Sequence, residues 1–235
     1  MINNARARKQ SEDASRVPPE VDFRGGERGK YAHLFGEATL DEELSARFLR
    51  DKGFEVHRVN EDRLSKTPDF RLLSQGKLVA YCEVKTFERD VWIDKMLDSV
   101  CPGELTGGVR NDPIYNRIAN AIHMASKQLV SMNPDHEALN ILVLVNRDKQ
   151  AKYQDLVSVM TGKWDPLAGI HDKTHVQFSE GRIREEKYKI DLYVWLDTLK
   201  EGQPELRGYF FGNYGNRPKA CSLFGIDAEA VKSVA

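Results

Sequence analysis

Hydrophobic and polar positions along this chain form periodic blocks separated by turn-forming residues, and the period of each block predicts its element. Thr39 has the side chain of a helix N-cap, with Glu42 at the third helical position. The run from there through Leu44, Phe48 and Leu49 to Gly53 predicts an amphipathic helix of about three turns. Phe54, Val56 and Val59 predict a first strand. A polar stretch from Asn60 to Thr67 follows, and Pro68 holds its predecessor in extended geometry. The runs from Asp69 to Leu73 and from Leu78 to Lys85 are separated by Ser74, Gln75, Gly76 and Lys77, which predicts an antiparallel hairpin.

The parity of that hairpin is informative. Even positions Phe70, Leu72, Leu78, Ala80, Cys82 and Val84 are all apolar, whereas odd positions include Asp69, Arg71, Glu83 and Lys85. Side chains alternate between the faces of a strand, so the even face packs into the core and Asp69, Glu83 and Lys85 share the other. The hairpin register sets Asp69 directly or diagonally across from Glu83.

Further along, Pro113 suits a first helical position, and Ile114, Ile118, Ala121, Ile122, Ala125 and Leu129 recur at helical spacing before Pro134. They predict a long second helix. Ile141 to Val145 is a continuous apolar run of strand length, as expected of a central strand covered on both faces. A helix near Tyr153 to Met160 is expected next, then a glycine-containing loop with Trp164, His171 and His175. Later strands are expected at Tyr188 to Leu196 and Leu206 to Phe211, and a turn at Gly212 to Asn216. The mixed stretch from Glu88 to Asp112 is too long for a simple connector and suggests a functional loop or small insertion. The expected architecture is an α/β fold with a central mixed sheet of four to five strands flanked by helices. Its parts are a mobile N-terminal arm over 1–30, a core over 31–146, and an extension over 147–235 packed on the same domain.

Composition narrows the class. A length of 235 residues suits one sizeable core, and 40% hydrophobic with 30% charged residues is ordinary for a soluble globular protein. No apolar run approaches the roughly eighteen residues of a membrane span, and no apolar stretch follows the basic residues near the start, so the expected location is the cytoplasm. The three cysteines, Cys82, Cys101 and Cys221, have no paired spacing and read as reduced thiols. A net charge of -1 leaves any contact with nucleic acid to a local basic patch.

The chemistry-bearing pattern is Pro68 and Asp69, thirteen intervening residues, then Glu83, Val84 and Lys85. It resembles the signature of the PD-(D/E)xK nuclease superfamily, and the order helix, three strands, helix, strand resembles that family's core. Glu42 precedes the pair Gly53 and Phe54 by eleven residues, similar to the spacing of the helix glutamate in archaeal Holliday-junction resolvases, with Glu43 as the alternative. The resemblance covers roughly residues 36–146. It implies a restriction endonuclease-like fold and a metal-dependent nuclease that hydrolyses phosphodiester bonds.

Such hydrolysis requires charge neutralisation on the phosphate and a water made nucleophilic near neutral pH, and bound Mg²⁺, or Mn²⁺ in its place, does both. Asp69 and Glu83 supply the oxygen ligands magnesium prefers, and the carbonyl of Val84 is a further ligand by the resemblance. Lys85 is placed to orient the water or to stabilise the transition state as a point charge. Glu42 would bind a second ion, directly or through water. On the second helix, Gln128 and Lys127 are the candidates for polar groups that approach the site, with Arg117 beside them as a substrate contact.

The plainer readings stand beside these. Glu83 and Lys85 are also what a solvated sheet face uses, and Asp69 suits a turn after proline. Glu42 and Glu43 are favourable in a first helical turn through the helix dipole alone. Arg110, Arg117, Arg147, Lys149 and Lys152 would form a phosphate-binding surface or simply solvate the protein. His171 and His175 have metal-ligand spacing if helical, but their surroundings suggest a loop. Trp164, Trp195, Phe210 and Phe211 suit the core better than base stacking. The expected partner is nucleic acid, DNA favoured over RNA and endonuclease over exonuclease. A homodimer is the arrangement by which many relatives reach two strands. The rival expectations are a catalytically silent nucleic-acid-binding or protein-interaction module on the same fold, and an unrelated α/β protein.

Overall fold

The computed structural model describes residues 39–59, 67–88, 100–101, 114–163, 173–198 and 204–227. The first helix, α1 (Leu40–Asp51), is capped by Thr39 through a reciprocal capping box with Glu42. The chain leaves it at Gly53, where φ is +91°, a conformation open to glycine at little cost. Strands β1 (Glu55–Arg58), β2 (Phe70–Ser74) and β3 (Lys77–Phe87) follow. Gln75 and Gly76 both have positive φ and join β2 to β3 as a two-residue hairpin turn.

After β3 come α2 (Ile114–Met132), β4 (Leu139–Asn146), α3 (Tyr153–Thr161) and α4 (Lys173–Arg182). A 3₁₀ turn at Lys187–Lys189 leads into β5 (Leu192–Asp197), then β6 (Glu205–Phe211), a second 3₁₀ turn at Tyr214–Asn216 and α5 (Arg217–Phe224). The strands form one six-stranded sheet in sequential order, β1 to β6. β1–β2, β2–β3 and β5–β6 pair antiparallel, while β3–β4 and β4–β5 pair parallel.

Every residue of β4 is buried, as its unbroken apolar run requires of a strand with helices over both faces. On one face Ile141, Val143 and Val145 pack with Ala80, Cys82 and Val84 of β3, with Ala46 and Leu49 of α1, and with Phe224 of α5. The rings of Phe54 and Phe224 meet there at 4.9 Å between centroids. On the other face Leu142 and Leu144 pack against Ile118, Ile122, Ala125 and Leu129 of α2, and against α3 and Val176. Removing one such aliphatic side chain from water is worth ~1.5–3 kcal/mol, so the two layers clamp the sheet between them.

The structure differs from the sequence expectation in four places. The sheet has six strands, not four to five, because both later strands join it: β5 pairs with β4 and β6 with β5. Tyr188 belongs to the 3₁₀ turn, so β5 begins only at Leu192. Leu78 leaves the core face and is 44% exposed. A register shift between Leu72 and Leu73 sets Leu72 opposite Ala80 but Leu73 opposite Leu78, so Val79 is the extra residue of a bulge and side chains beyond it change face. Last, α4 occupies part of a segment read as loop, and α5 follows the expected turn in residues for which no element is expected.

The expected helix start at Pro113, the arm over 1–30 and most of the 88–112 stretch lie outside the described residues. No helix among the described residues is long and apolar enough to cross a membrane.

The bulge has a measurable consequence. Leu72→Ala should lower stability in urea unfolding by about 2–5 kcal/mol, as a fully buried leucine does. Leu78→Ala should change it by less than about 1 kcal/mol. Equal losses would restore Leu78 to the core face.

Candidate active site

The antiparallel pairing of β2 with β3 sets Phe70 opposite Cys82, and one more step of that register brings Asp69 opposite Glu83. Glu83 and Lys85 pair along β3 with Leu142 and Leu144 of β4, so they lie on the sheet face that α2 covers. Asp69 turns its side chain onto the β3 backbone, where Oδ2 accepts the Val84 N–H at 2.7 Å. Lys85 Nζ makes a close ion pair with Glu83 Oε1 and donates to Gln128 Oε1 at 3.0 Å. Gln128 is anchored in turn, its Nε2 donating to the Thr67 carbonyl at 3.1 Å. One polar side chain of α2 thus ties Lys85 to the segment that leads into Asp69.

Glu83 is 1% exposed, and its Oε2 has no hydrogen-bond partner. A buried carboxylate oxygen without a donor is costly and needs an explanation. Burial drives the Glu83 carboxyl up to about 8, with the Asp69 charge adding to the rise and Lys85 and the Asp69 backbone N–H opposing it. Burial likewise pushes Asp69 up to about 6; the Val84 N–H opposes this, Glu42 adds to it, and Lys85 and Arg58 oppose it. Two adjacent carboxyls held above their ordinary range mark a place where negative charge is undercompensated, as functional sites often are. Burial next to the same two carboxylates also raises the Cys82 thiol well above its ordinary value.

Glu42 lies at the edge of this group. Its Oε2 accepts the Thr39 N–H at 3.0 Å and pairs with Arg58 Nη2 at 3.0 Å. Arg58 stands opposite Phe70 in the β1–β2 register, next to Asp69. Glu43 is exposed. Among the described residues no group of three His, Cys, Asp or Glu side chains is gathered as a metal site. The pair Asp69 and Glu83, with the intervening Val84 backbone, is what the structure brings together.

No family model, curated protein or solved structure matches this chain. The chemistry of the cluster therefore rests on its own geometry. Within an extended strand the N–H and C=O of one residue face the same neighbour, so the Val84 carbonyl points toward the edge where Asp69 receives the Val84 N–H. β2 begins only at Phe70, so Val84 has no partner in its ladder. The edge presents Asp69, a backbone carbonyl and Glu83 together: hard oxygen donors of the kind that suit a divalent cation.

The other expected site residues are not drawn in. Lys127 is exposed on α2. Arg117 is held elsewhere, by Asp148 at 2.8 Å and the Glu88 carbonyl at 3.0 Å, and lies over the Phe87 ring. It precedes Gln128 by eleven residues, roughly 16 Å along the helix axis. Arg147 likewise serves a buried acid: its Nε donates to Asp41 Oδ1 at 3.0 Å, while Asp41 Oδ2 accepts from the Thr86 hydroxyl at 2.8 Å. These two arginines pin elements together and do not form an exposed patch; Lys149 and Lys152 are exposed. Arg110, Trp164 and His171 lie outside the described residues, whereas Trp195 and Phe211 are buried in the core. Arg58, Asp41 and Thr67 escaped sequence reading because their partners are distant in the chain and no local pattern announces them.

The raised Glu83 group makes stability depend on pH. Its value moves from the ordinary 4.5 to about 8, so the folded protein keeps a proton that the unfolded chain releases. That contribution is complete below about 4.5 and is lost as pH rises through about 8. In EDTA, wild type should therefore lose of order 2–4 kcal/mol relative to Glu83→Gln between pH 5 and 8, read by denaturant unfolding. A difference independent of pH would mean that Glu83 ionises as an exposed carboxylate does.

Proposed function

We propose that this chain is a metal-dependent nuclease of the PD-(D/E)xK kind, with a restriction endonuclease-like core, that cleaves phosphodiester bonds of nucleic acid. DNA is the favoured substrate and internal cleavage the favoured mode. The observation that carries the reading is the buried Glu83 Oε2 without a donor, beside Asp69 and in contact with Lys85 through its other oxygen. An orphaned, buried acceptor on one of two adjacent carboxyls of raised proton affinity fits a bound cation better than it fits a structural ion pair.

Asp69, Glu83 and the Val84 carbonyl would hold Mg²⁺ or Mn²⁺. The ion when bound would supply charge neutralisation at the phosphate and a more acidic water. The remaining work falls to the chain's own groups. Lys85 carries a fixed positive charge at the cluster, able to stabilise charge developing on a phosphate oxygen or to orient the attacking water. Gln128 holds Lys85 in place through Oε1 and is itself held by the Thr67 carbonyl. The hairpin register keeps Asp69 and Glu83 adjacent without any ordering step at the moment of reaction. Internal cleavage of both strands of a duplex would further require two such sites, and a homodimer would supply them.

Cleavage of plasmid, linear duplex, single-stranded DNA and RNA should appear with Mg²⁺ or Mn²⁺ and vanish in EDTA. Asp69→Ala and Lys85→Ala should each lower the rate by about 10²-fold or more, since each removes a group needed at the transition state. Gln128→Ala should cost less, about 10-fold, because Lys85 keeps its charge and loses only its support. A wild-type chain that binds neither metal nor cleaves any of these substrates would leave a silent module on the same fold.

A further inference from the structure

The register that brings Asp69 beside Glu83 sets a second row across the same face of the sheet. Arg71 stands opposite Tyr81 of β3 and opposite His57 of β1, and directly paired residues of antiparallel strands point to the same side. Tyr81 packs against the layer that α2 builds, so His57, Arg71 and Tyr81 lie on the face that carries Glu83 and Lys85. The bulge falls beyond Leu72, and the Val59 N–H donates to the Asp69 carbonyl at 2.9 Å, so the ladder is regular from Arg71 back to Asp69. Arg71 therefore follows Asp69 on that face by one pleat repeat, roughly 6.6 Å.

α2 lies chiefly over β3 and β4, and Arg71 on β2 is exposed. Its charge is also unpaired. Arg58, Arg117 and Arg147 are each held by a carboxylate, whereas Arg71 makes no hydrogen bond or ion pair among the described residues. The residues opposite it, His57 and Tyr81, are not acids. Glu55, the acid on that face of β1, is turned to the hairpin, where its Oε1 accepts the Gly76 N–H at 3.3 Å. A guanidinium so placed keeps its donors for a ligand, and its planar fork matches phosphate oxygens.

We infer that Arg71 binds the phosphate next to the scissile one in the same nucleic-acid strand. The inference rests on the nuclease reading and deepens it: the cluster acts on one phosphodiester while Arg71, one pleat away, holds its neighbour. The substrate class is then a polynucleotide, not an isolated phosphodiester. Such a contact fixes the strand's position over the cluster and reads no base. It is made in the ground state as well as in the transition state, so it acts on KM and not on kcat.

The test uses the full-length chain and an oligonucleotide of the type that wild type cleaves best, its main cut mapped to one bond. The phosphate on either side of that bond is neutralised in turn as a methylphosphonate. Wild type should lose about tenfold in kcat/KM for one of these two replacements, as expected of a charge-assisted contact, and little for the other. On the unmodified substrate Arg71→Ala should raise KM about tenfold and leave kcat within about threefold of wild type. Neutralising the same phosphate should then cost Arg71→Ala nothing more, because both changes remove one contact. Arg71→Lys should recover part of the loss. Arg50→Ala, which removes an equal charge from an exposed position on α1, should leave KM unchanged.

No loss in wild type for either methylphosphonate would overturn the role of Arg71 while leaving the nuclease reading intact. So would losses that add in Arg71→Ala, an equal rise of KM in Arg50→Ala, or a KM within about twofold of wild type in an Arg71→Ala chain that melts as wild type does. A wild-type chain that cleaves no nucleic acid would overturn the nuclease reading, and this inference with it.

Discussion

The alternation of faces along β3 is the constraint on which the rest of the structure depends, because one face of that strand is apolar and the other carries the charged cluster. Ala80, Cys82 and Val84 must meet the core beneath α1 and α5, which leaves Glu83 and Lys85 on the α2 side. A slip of one residue would turn the apolar row out and bury Glu83 and Lys85 in a layer with no partner for them. Burial of one face thus fixes the orientation of the other, and the antiparallel register with β2 then brings Asp69 alongside. The bulge at Val79 absorbs the mismatch at the turn end of the hairpin, well away from the cluster, so the pairing of Phe70 with Cys82 is undisturbed.

β4 transmits the same constraint to the rest of the sheet. Being buried along its whole length, it admits helices on both faces, and α2 is the one that closes over Glu83 and Lys85. This closure removes water from Glu83 and leaves Oε2 without a donor. α2 supplies only Gln128 to the cluster, and Gln128 satisfies Lys85, not Glu83. The fold therefore leaves Glu83 Oε2 as one of several buried polar atoms with no hydrogen-bond partner, and the one beside the Asp69 carboxylate, where a cation would gain most. The strands after β4 do different work. β5 is buried up to Leu196 and β6 covers the sheet's far edge, so they shield β4 from solvent and leave the cluster untouched.

The charged groups around the cluster divide by what they touch. Asp41 with Arg147 and Thr86, and Arg117 with Asp148, join helices to strand ends through partly desolvated pairs; removing one partner would leave a buried charge uncompensated. Arg58 and Glu42 are intermediate. They join β1 to the start of α1, and their charges act on Asp69 in opposite senses, behind the larger effects of burial and the Val84 N–H.

Much of this was written in local pattern. The Thr39 cap with Glu42, the parity of Asp69, Glu83 and Lys85, and the unbroken run of β4 follow from spacing and side-chain chemistry, since helical and strand periods are properties of neighbouring residues. Gln128 could be named as a polar position off the apolar stripe of α2, but its partner could not. The bulge at Val79, the entry of β5 and β6 into a six-stranded sheet and the pairing of Arg58 with Glu42 arise between segments far apart in the chain. So does the capture of Arg117 and Arg147 by buried acids. A single sequence carries no record of which distant partner wins when several charges compete, and that choice is made only when packing brings particular side chains within reach and excludes water between them.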